Sequence, residues 1–312
     1  MQITFSAAAL PKSGAIVIPV FEDGGKPKAY ADLDKATDGA LERAVKSADF
    51  KGKKGKAVDV VAPAGLGNSR IILVGAGDSK NFSALEAETL GGAAAGRLLS
   101  GADKSAAFAL SGLTVKKLPA DELAAHMANG ARLKCYRFDK YRTKEKKEDK
   151  PVLTKITVST SSTKAKEIYA DLEKVSDGVF LTRDLVSEPA NILYPDSFAK
   201  RCKELEKLGL KVTVLTEAQM KKLGMGSLLG VAQGSVREPK LVAMEWMGGK
   251  KGDAPVAFVG KGVTFDTGGI SLKSAPGMED MKWDMGGAGA VTGAMAAIAG
   301  RKAKANVVGV IG

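Results

Sequence analysis

Lys261, Asp266, Lys273 and Asp284 place two amines and two carboxylates in one glycine-rich stretch of the chain. The stretch opens Val259-Gly260-Lys261-Gly262-Val263-Thr264-Phe265-Asp266-Thr267-Gly268-Gly269. Carboxylate oxygens suit Mg²⁺, Mn²⁺ or Zn²⁺. A lysine amine ligates a metal only when deprotonated, which needs burial or the metal's own charge to lower its pKa. Glycines let the backbone bend sharply and approach a bound group closely. A strand over 256–259, a helix from near Asp284 to residue 299 and a strand over 306–311 form a βαβ unit with a long loop after its first strand. In open α/β sheets, ligands bind beyond the carboxyl ends of the strands. All four residues fall in that loop or at the helix start. By spacing alone, a set of solvated loop charges remains the plainer reading.

The rest of the composition narrows the chemistry. The chain of 312 residues holds one histidine and two cysteines. His126 lies in Asp121-Glu122-Leu123-Ala124-Ala125-His126, a helical pattern, and no G-x-S-x-G nucleophile motif is present. A His-rich zinc site is excluded, and metal chemistry must use carboxylates, carbonyls or lysine. Cys135 and Cys202 have no metal-type spacing and read as reduced thiols. The N-terminal Met1-Gln2-Ile3-Thr4-Phe5 lacks a signal-peptide pattern. No apolar run approaches the roughly 20 residues that span a bilayer. A cytoplasmic protein with no membrane partner is expected. The net charge of +12 suits either a lysine-rich soluble surface or an acidic partner such as DNA.

Positioning elements can be read along the whole chain. Residues 15–20, 58–62, 70–74, 106–110 and 156–158 read as strands, and 33–48, 84–99 and 120–128 as helices, the second opened by the capping box Ser83-Ala84-Leu85-Glu86. Such alternation predicts a mostly parallel sheet covered by helices. Gly65-Leu66-Gly67 and Gly75-Ala76-Gly77 read as turns, since neither completes a phosphate-binding motif. Residues 132–150 interleave basic side chains with Tyr136, Phe138 and Tyr141. Aromatics between cations can bind nucleic acid, but Asp139, Glu145, Glu148 and Asp149 dilute the patch, and a strand with a solvated hairpin is expected. A long amphipathic helix is predicted over 163–186. Pro195 opens a helix to about residue 208, 211–215 is a strand, and the capping box at Thr216-Glu217-Ala218-Gln219 starts a short helix closed by Gly224. Residues 241–246 form a further strand.

Lys261 to Gly269, with Lys273 and Asp284-Met285-Gly286-Gly287, resembles the catalytic core of the leucyl aminopeptidase family, the binuclear-metal M17 type. Arg183-Asp184-Leu185-Val186-Ser187-Glu188-Pro189-Ala190-Asn191 is similar to the segment that opens its catalytic domain, and Tyr136-Arg137-Phe138-Asp139-Lys140-Tyr141 to a stretch ending its N-terminal domain. The resemblance implies two α/β domains: a macro-domain-like N-terminal domain over 1–162, a linker helix over 163–186, and a metallo-aminopeptidase catalytic domain over 187–312. It also implies two divalent metal ions, Mn²⁺ or Zn²⁺, with Lys261, Asp266 and Asp284 as ligands. Lys273 would be the catalytic lysine that polarises the scissile carbonyl, and Met281 would line the pocket for the substrate's first side chain. Together Lys261, Asp266, Lys273, Met281 and Asp284 would contact peptide substrates with a free N-terminus. A homohexamer and, in some members, DNA binding are further implications.

One departure qualifies these expectations. The family's second signature, Asn-Thr-Asp-Ala-Glu-Gly-Arg-Leu, which supplies two more carboxylates and an arginine, does not occur in the sequence. The sequence therefore reads as a C-terminally truncated form whose catalytic domain is incomplete. It is expected to be inactive alone, with apolar surface exposed around residues 307–311.

Overall fold

The computed structural model describes residues 1–7 and 10–312 and divides into two units, Met1–Glu173 and Lys174–Gly312. Both are α/β, each built on its own sheet. The division falls inside one helix, α5 below.

In the first unit the strands are β1 (Gln2–Ser6), β2 (Ala15–Phe21), β3 (Ala57–Val61), β4 (Arg70–Gly77), β5 (Ser105–Ala109) and β6 (Lys155–Ser159). Their order is β1-β6-β5-β2-β4-β3, parallel throughout except for the antiparallel edge pair β3–β4. β2 is buried along its whole length. Its Ala15, Val17 and Phe21 enter one core while Ile16, Ile18 and Val20 enter another, as the two-residue period of a strand demands.

Helices α1 (Lys28–Ala36) and α2 (Ala40–Ser47) replace the single helix expected over 33–48. The break has a local cause. Asp38 and Gly39 take positive φ of 52° and 75°, and the Asp34 carboxylate accepts the first free N–H groups of α2, from Leu41 at 2.9 Å and Glu42 at 3.0 Å. α3 (Ala84–Leu99) starts at the anticipated box, where the Ser83 N–H donates to Glu86 at 3.2 Å. α4 (Ala120–Lys134) outruns its predicted end because Ala128 and Ala131 remain buried.

Three further differences belong to this unit. Gly75-Ala76-Gly77 is the end of β4 rather than a turn; the backbone of Lys53 passes too close to Gly75 for a side chain. Residues 135–146 form neither strand nor hairpin. Arg137 pairs there with Glu145 at 2.5 Å and Asp139 at 3.5 Å, and Phe138 packs edgewise on Tyr141, so local contacts replace a ladder. His126 is half-buried on α4, its Nδ1 2.9 Å from Glu88.

α5 (Ala165–Ser187) leads into the second unit, where α6 (Pro195–Lys203) tightens into a 3₁₀ turn over Glu204–Leu208. β7 (Lys211–Leu215) and β8 (Leu241–Met247) flank α7 (Glu217–Lys222) and α8 (Gly226–Ala232). α8 has no buried residue and left no periodic signal in the sequence. The βαβ unit is β9 (Val256–Gly260), a loop and 3₁₀ turn (Met278–Trp283), α9 (Gly286–Gly300) and β10 (Asn306–Ile311). The sheet order is β7-β8-β10-β9, with β9 and β10 parallel and the other pairs antiparallel. β10 is therefore paired on both sides, and Val307 and Ile311 are each 4% exposed. The expected apolar exposure lies instead on the edge strand, where Val256 is 57% and Val259 80% exposed.

Candidate functional site

The chemistry-bearing loop begins where β9 ends. Gly262 N–H donates to the Gly312 carbonyl at 2.9 Å, and the Lys261 carbonyl accepts the Ala288 N–H of α9 at 2.9 Å. Lys261 is thereby tied to the start of α9, two residues beyond Asp284. Its Nζ donates to the Asp284 carbonyl at 3.1 Å and abuts Asp284 Oδ2 as an ion pair. Asp284 N–H in turn donates to the Met281 carbonyl at 3.2 Å, continuing the 3₁₀ turn.

A second pair closes within the loop. Gly268 N–H donates to Asp266 Oδ1 at 2.8 Å, and Lys273 N–H donates to the Thr267 carbonyl at 2.9 Å. Gly268 and Gly269 hold φ of +92° and +67°, which only glycine adopts without strain. The resulting turn brings Lys273 Nζ to 2.8 Å from Asp266 Oδ2 and 3.0 Å from Met281 Sδ. The Lys273 ammonium, then the Gly268 N–H, and more weakly the charge of Lys261, hold the Asp266 carboxyl below the usual carboxylate value of 3.8. All five predicted residues thus gather in two ion pairs that share Met281 as a neighbour.

The donor set fits a divalent cation in kind. Asp284 Oδ2 is closed off from solvent and faces the Lys261 amine, so its charge is already compensated within the site; a divalent ion would take the place of that amine's proton. Asp266 is an accessible anion. Among the described residues, no three His, Cys, Asp or Glu side chains cluster around one point, so oxygen donors from this chain number two carboxylates here, with the Lys261 amine as the further donor.

Other candidate chemistries fare worse. The Cys202 thiol is pushed up to about 11 by burial, against the milder effect of Thr292, which leaves it a poor nucleophile. A cavity of about 350 Å³ adjoins the loop at Gly262–Phe265 but is lined by none of the four charged site residues. Its wall includes Tyr194, Phe198 and Arg237, with Arg237 stacked 4.1 Å over the Tyr194 ring. Sequence reasoning missed this wall, because Tyr194 and Arg237 sit far apart in the chain and share no motif. It also missed the close backbone contact of Gly260 with Gly287, for which the glycine types were the one available signal.

Comparisons with known proteins agree on one relationship. The family model "Cytosol aminopeptidase family, catalytic domain" matches residues 180–312, and "Cytosol aminopeptidase family, N-terminal domain" matches 17–145. A probable cytosol aminopeptidase of Caulobacter vibrioides is 54% identical over 92% of this chain, and one of Sinorhizobium fredii 47% identical over 100% of it. The chain spans 57% and 62% of the length of those two relatives. Among solved structures, a tomato leucine aminopeptidase mutant superposes with a TM-score of 0.81 at 26% identity, over 100% of this chain and 62% of that one. The bottromycin maturation enzyme BotP in complex with Mn gives 0.76 at 28% identity, over 96% of this chain and 58% of that one. No helix among the described residues is long and apolar enough to cross a membrane. From its glycine-rich loop to both of its domains, this chain belongs to the cytosol aminopeptidase family.

Proposed function

We propose that the protein is a metal-dependent aminopeptidase that releases N-terminal residues from peptides in the cytosol. The observation that carries this reading is the convergence of Lys261 with Asp284, and of Lys273 with Asp266, beyond the carboxyl end of β9. Lys261, Asp266 and Asp284 would hold the metals, and the solvent-shielded Oδ2 of Asp284 supports that role. Two divalent ions, Mn²⁺ or Zn²⁺, would supply an acidified water and a grip on the free α-amine. Mn²⁺ is favoured by its presence in the BotP complex.

The chain's own residues then divide the work. Lys273 sits in a loop closed by its own backbone and would offer its amine to the negative charge that develops on the scissile carbonyl oxygen. It reaches that position by leaving the Asp266 carboxylate, which a metal would take over. Met281 lies within contact of the same amine, and its thioether would border the space for the substrate's first side chain. Assembly as a homohexamer forms part of the proposal. A polypeptide of these 312 residues alone offers three metal-binding side chains, Lys261, Asp266 and Asp284. Such a polypeptide is expected to bind at most one metal weakly and to lack turnover.

DNA binding receives less support, since Arg137 of the basic segment is already paired with Glu145 and Asp139. A steep fall of DNA affinity with salt would restore that reading. The functional test uses the longest form its reading frame encodes. Hydrolysis of a leucyl amide should vanish on thorough chelation and return with Mn²⁺ or Zn²⁺. Activity that survives chelation would sink the proposal.

A further inference from the structure

The two ion pairs of the site are wired through different backbone. Asp266 and Lys273 are joined by a turn internal to the loop, closed by the Lys273 N–H to Thr267 carbonyl bond at 2.9 Å. Lys261 and Asp284 lie 23 positions apart and meet because the end of β9 lies against the first turn of α9. That approach is made through glycine. A Cβ added at Gly260 would sit 2.6 Å from the Gly287 carbonyl oxygen, 2.7 Å from its carbon and 2.8 Å from Ala288 Cα. A Cβ at Gly287 would sit 3.0 Å from the Lys261 nitrogen. These neighbours are main-chain atoms and cannot rotate aside. The same contact lets the Lys261 carbonyl satisfy the Ala288 N–H, one of the donors a helix start leaves without an intrahelical partner.

We propose that Gly260 and Gly287 are positioning residues: their backbone contact sets the Lys261 amine against the Asp284 carboxylate, independently of the Asp266–Lys273 pair. A methyl group at Gly260 drives the strand end off the helix start, stretches the Ala288 to Lys261 bond and parts Lys261 from Asp284. The internal turn of the loop is left in place. The relevance to metal binding rests on the function proposed above, whereas the positioning itself is a matter of geometry. Gly286 supplies a matched control, because nothing lies within 4 Å of a Cβ there.

The test is zero-length cross-linking of the 312-residue chain with a water-soluble carbodiimide. The reagent activates a carboxylate as an O-acylisourea. A lysine amine in contact then displaces the urea and forms an amide, with net loss of one water from the protein. Peptide mass spectrometry reads the Lys261–Asp284 and Lys273–Asp266 products separately. In Gly260→Ala the first product should fall by more than about tenfold relative to the second, the scale of a displacement near 1 Å. Gly287→Ala, a milder clash, should show a smaller fall in the same direction, and Gly286→Ala no change in the ratio. An unchanged ratio in both Gly260→Ala and Gly287→Ala, or products falling in parallel in both, overturns the proposal. Mn²⁺ titration of the same proteins tests the metal-site reading separately, since the cross-link pattern requires no metal.

Discussion

The two sheets bury their strands differently. In the first unit β2 feeds two cores, with alternate side chains passing to opposite faces, and no residue of the strand escapes burial. In the second unit the described residues form one core cluster. β10 alternates buried and half-buried residues, and α9 packs on the buried side. The edge strand β9 is exposed at four of its five positions. The first arrangement is that of a parallel sheet covered on both faces. The second is a sheet covered on one face, with its loop chemistry at one end and its edge open. The contrast teaches that, among the described residues, the candidate chemistry gathers in the unit with one core cluster and not in the unit with two. The unit with the charged loop leaves that loop half-exposed to solvent.

The sharpest way to break this comparison is to truncate one phenylalanine in each unit of the 312-residue chain. Phe108 is 0% exposed in the first core, and Phe108→Ala should cost about 3–5 kcal/mol in chemical denaturation. Phe258 on β9 is 41% exposed, and Phe258→Ala should change stability by less than about 0.5 kcal/mol. Equal losses would mean that the second unit has a core as complete as the first. Repeating the Phe258→Ala measurement in the longest form of the reading frame sharpens the point, since a larger cost there would show that further chain covers the β9 edge.

A smaller effect concerns charge. The Lys273 ammonium, then the Gly268 N–H, keep Asp266 below the ordinary 3.8. A carboxyl lowered by folding contributes stability that is fully present above its unfolded value and lost as pH falls through its folded value. The Lys273→Met variant should move the Asp266 pKa upward toward the ordinary value in a carboxyl-carbon NMR titration, and the acid-side loss of stability from this group should shrink. An Asp266 titration that does not respond would mean the pair is not formed in solution.

Much of this was legible in the sequence because the signals were local. Apolar runs of strand length announced β2, β4 and β10, and the boxes at Ser83 and Thr216 announced the starts of α3 and α7. The loop residues Lys261, Asp266, Lys273 and Asp284 could be named from type and spacing together with a family resemblance. Their pairing could not. Lys261 meets Asp284 through a backbone approach that depends on the fold of a whole βαβ unit. The split of 33–48 into two helices followed from two left-handed residues at Asp38 and Gly39, and only the glycine carried a signal. The exposed strand was misplaced to β10 because sequence order does not give sheet order: the last strand in the chain lies inside the sheet, between β8 and β9.

The central claim is that the second unit's loop divides its labour, with Lys261 serving the metals and Lys273 serving the charge of the transition state. The most direct test compares Lys273→Ala with the parent in the longest form the reading frame encodes, measuring bound Mn²⁺ and leucyl amide turnover on the same samples. The account predicts that Lys273→Ala retains its metal while kcat falls by about 10²–10³, the loss expected on removing one preorganised charge-stabilising donor. Loss of a bound metal with normal turnover per remaining metal would contradict it.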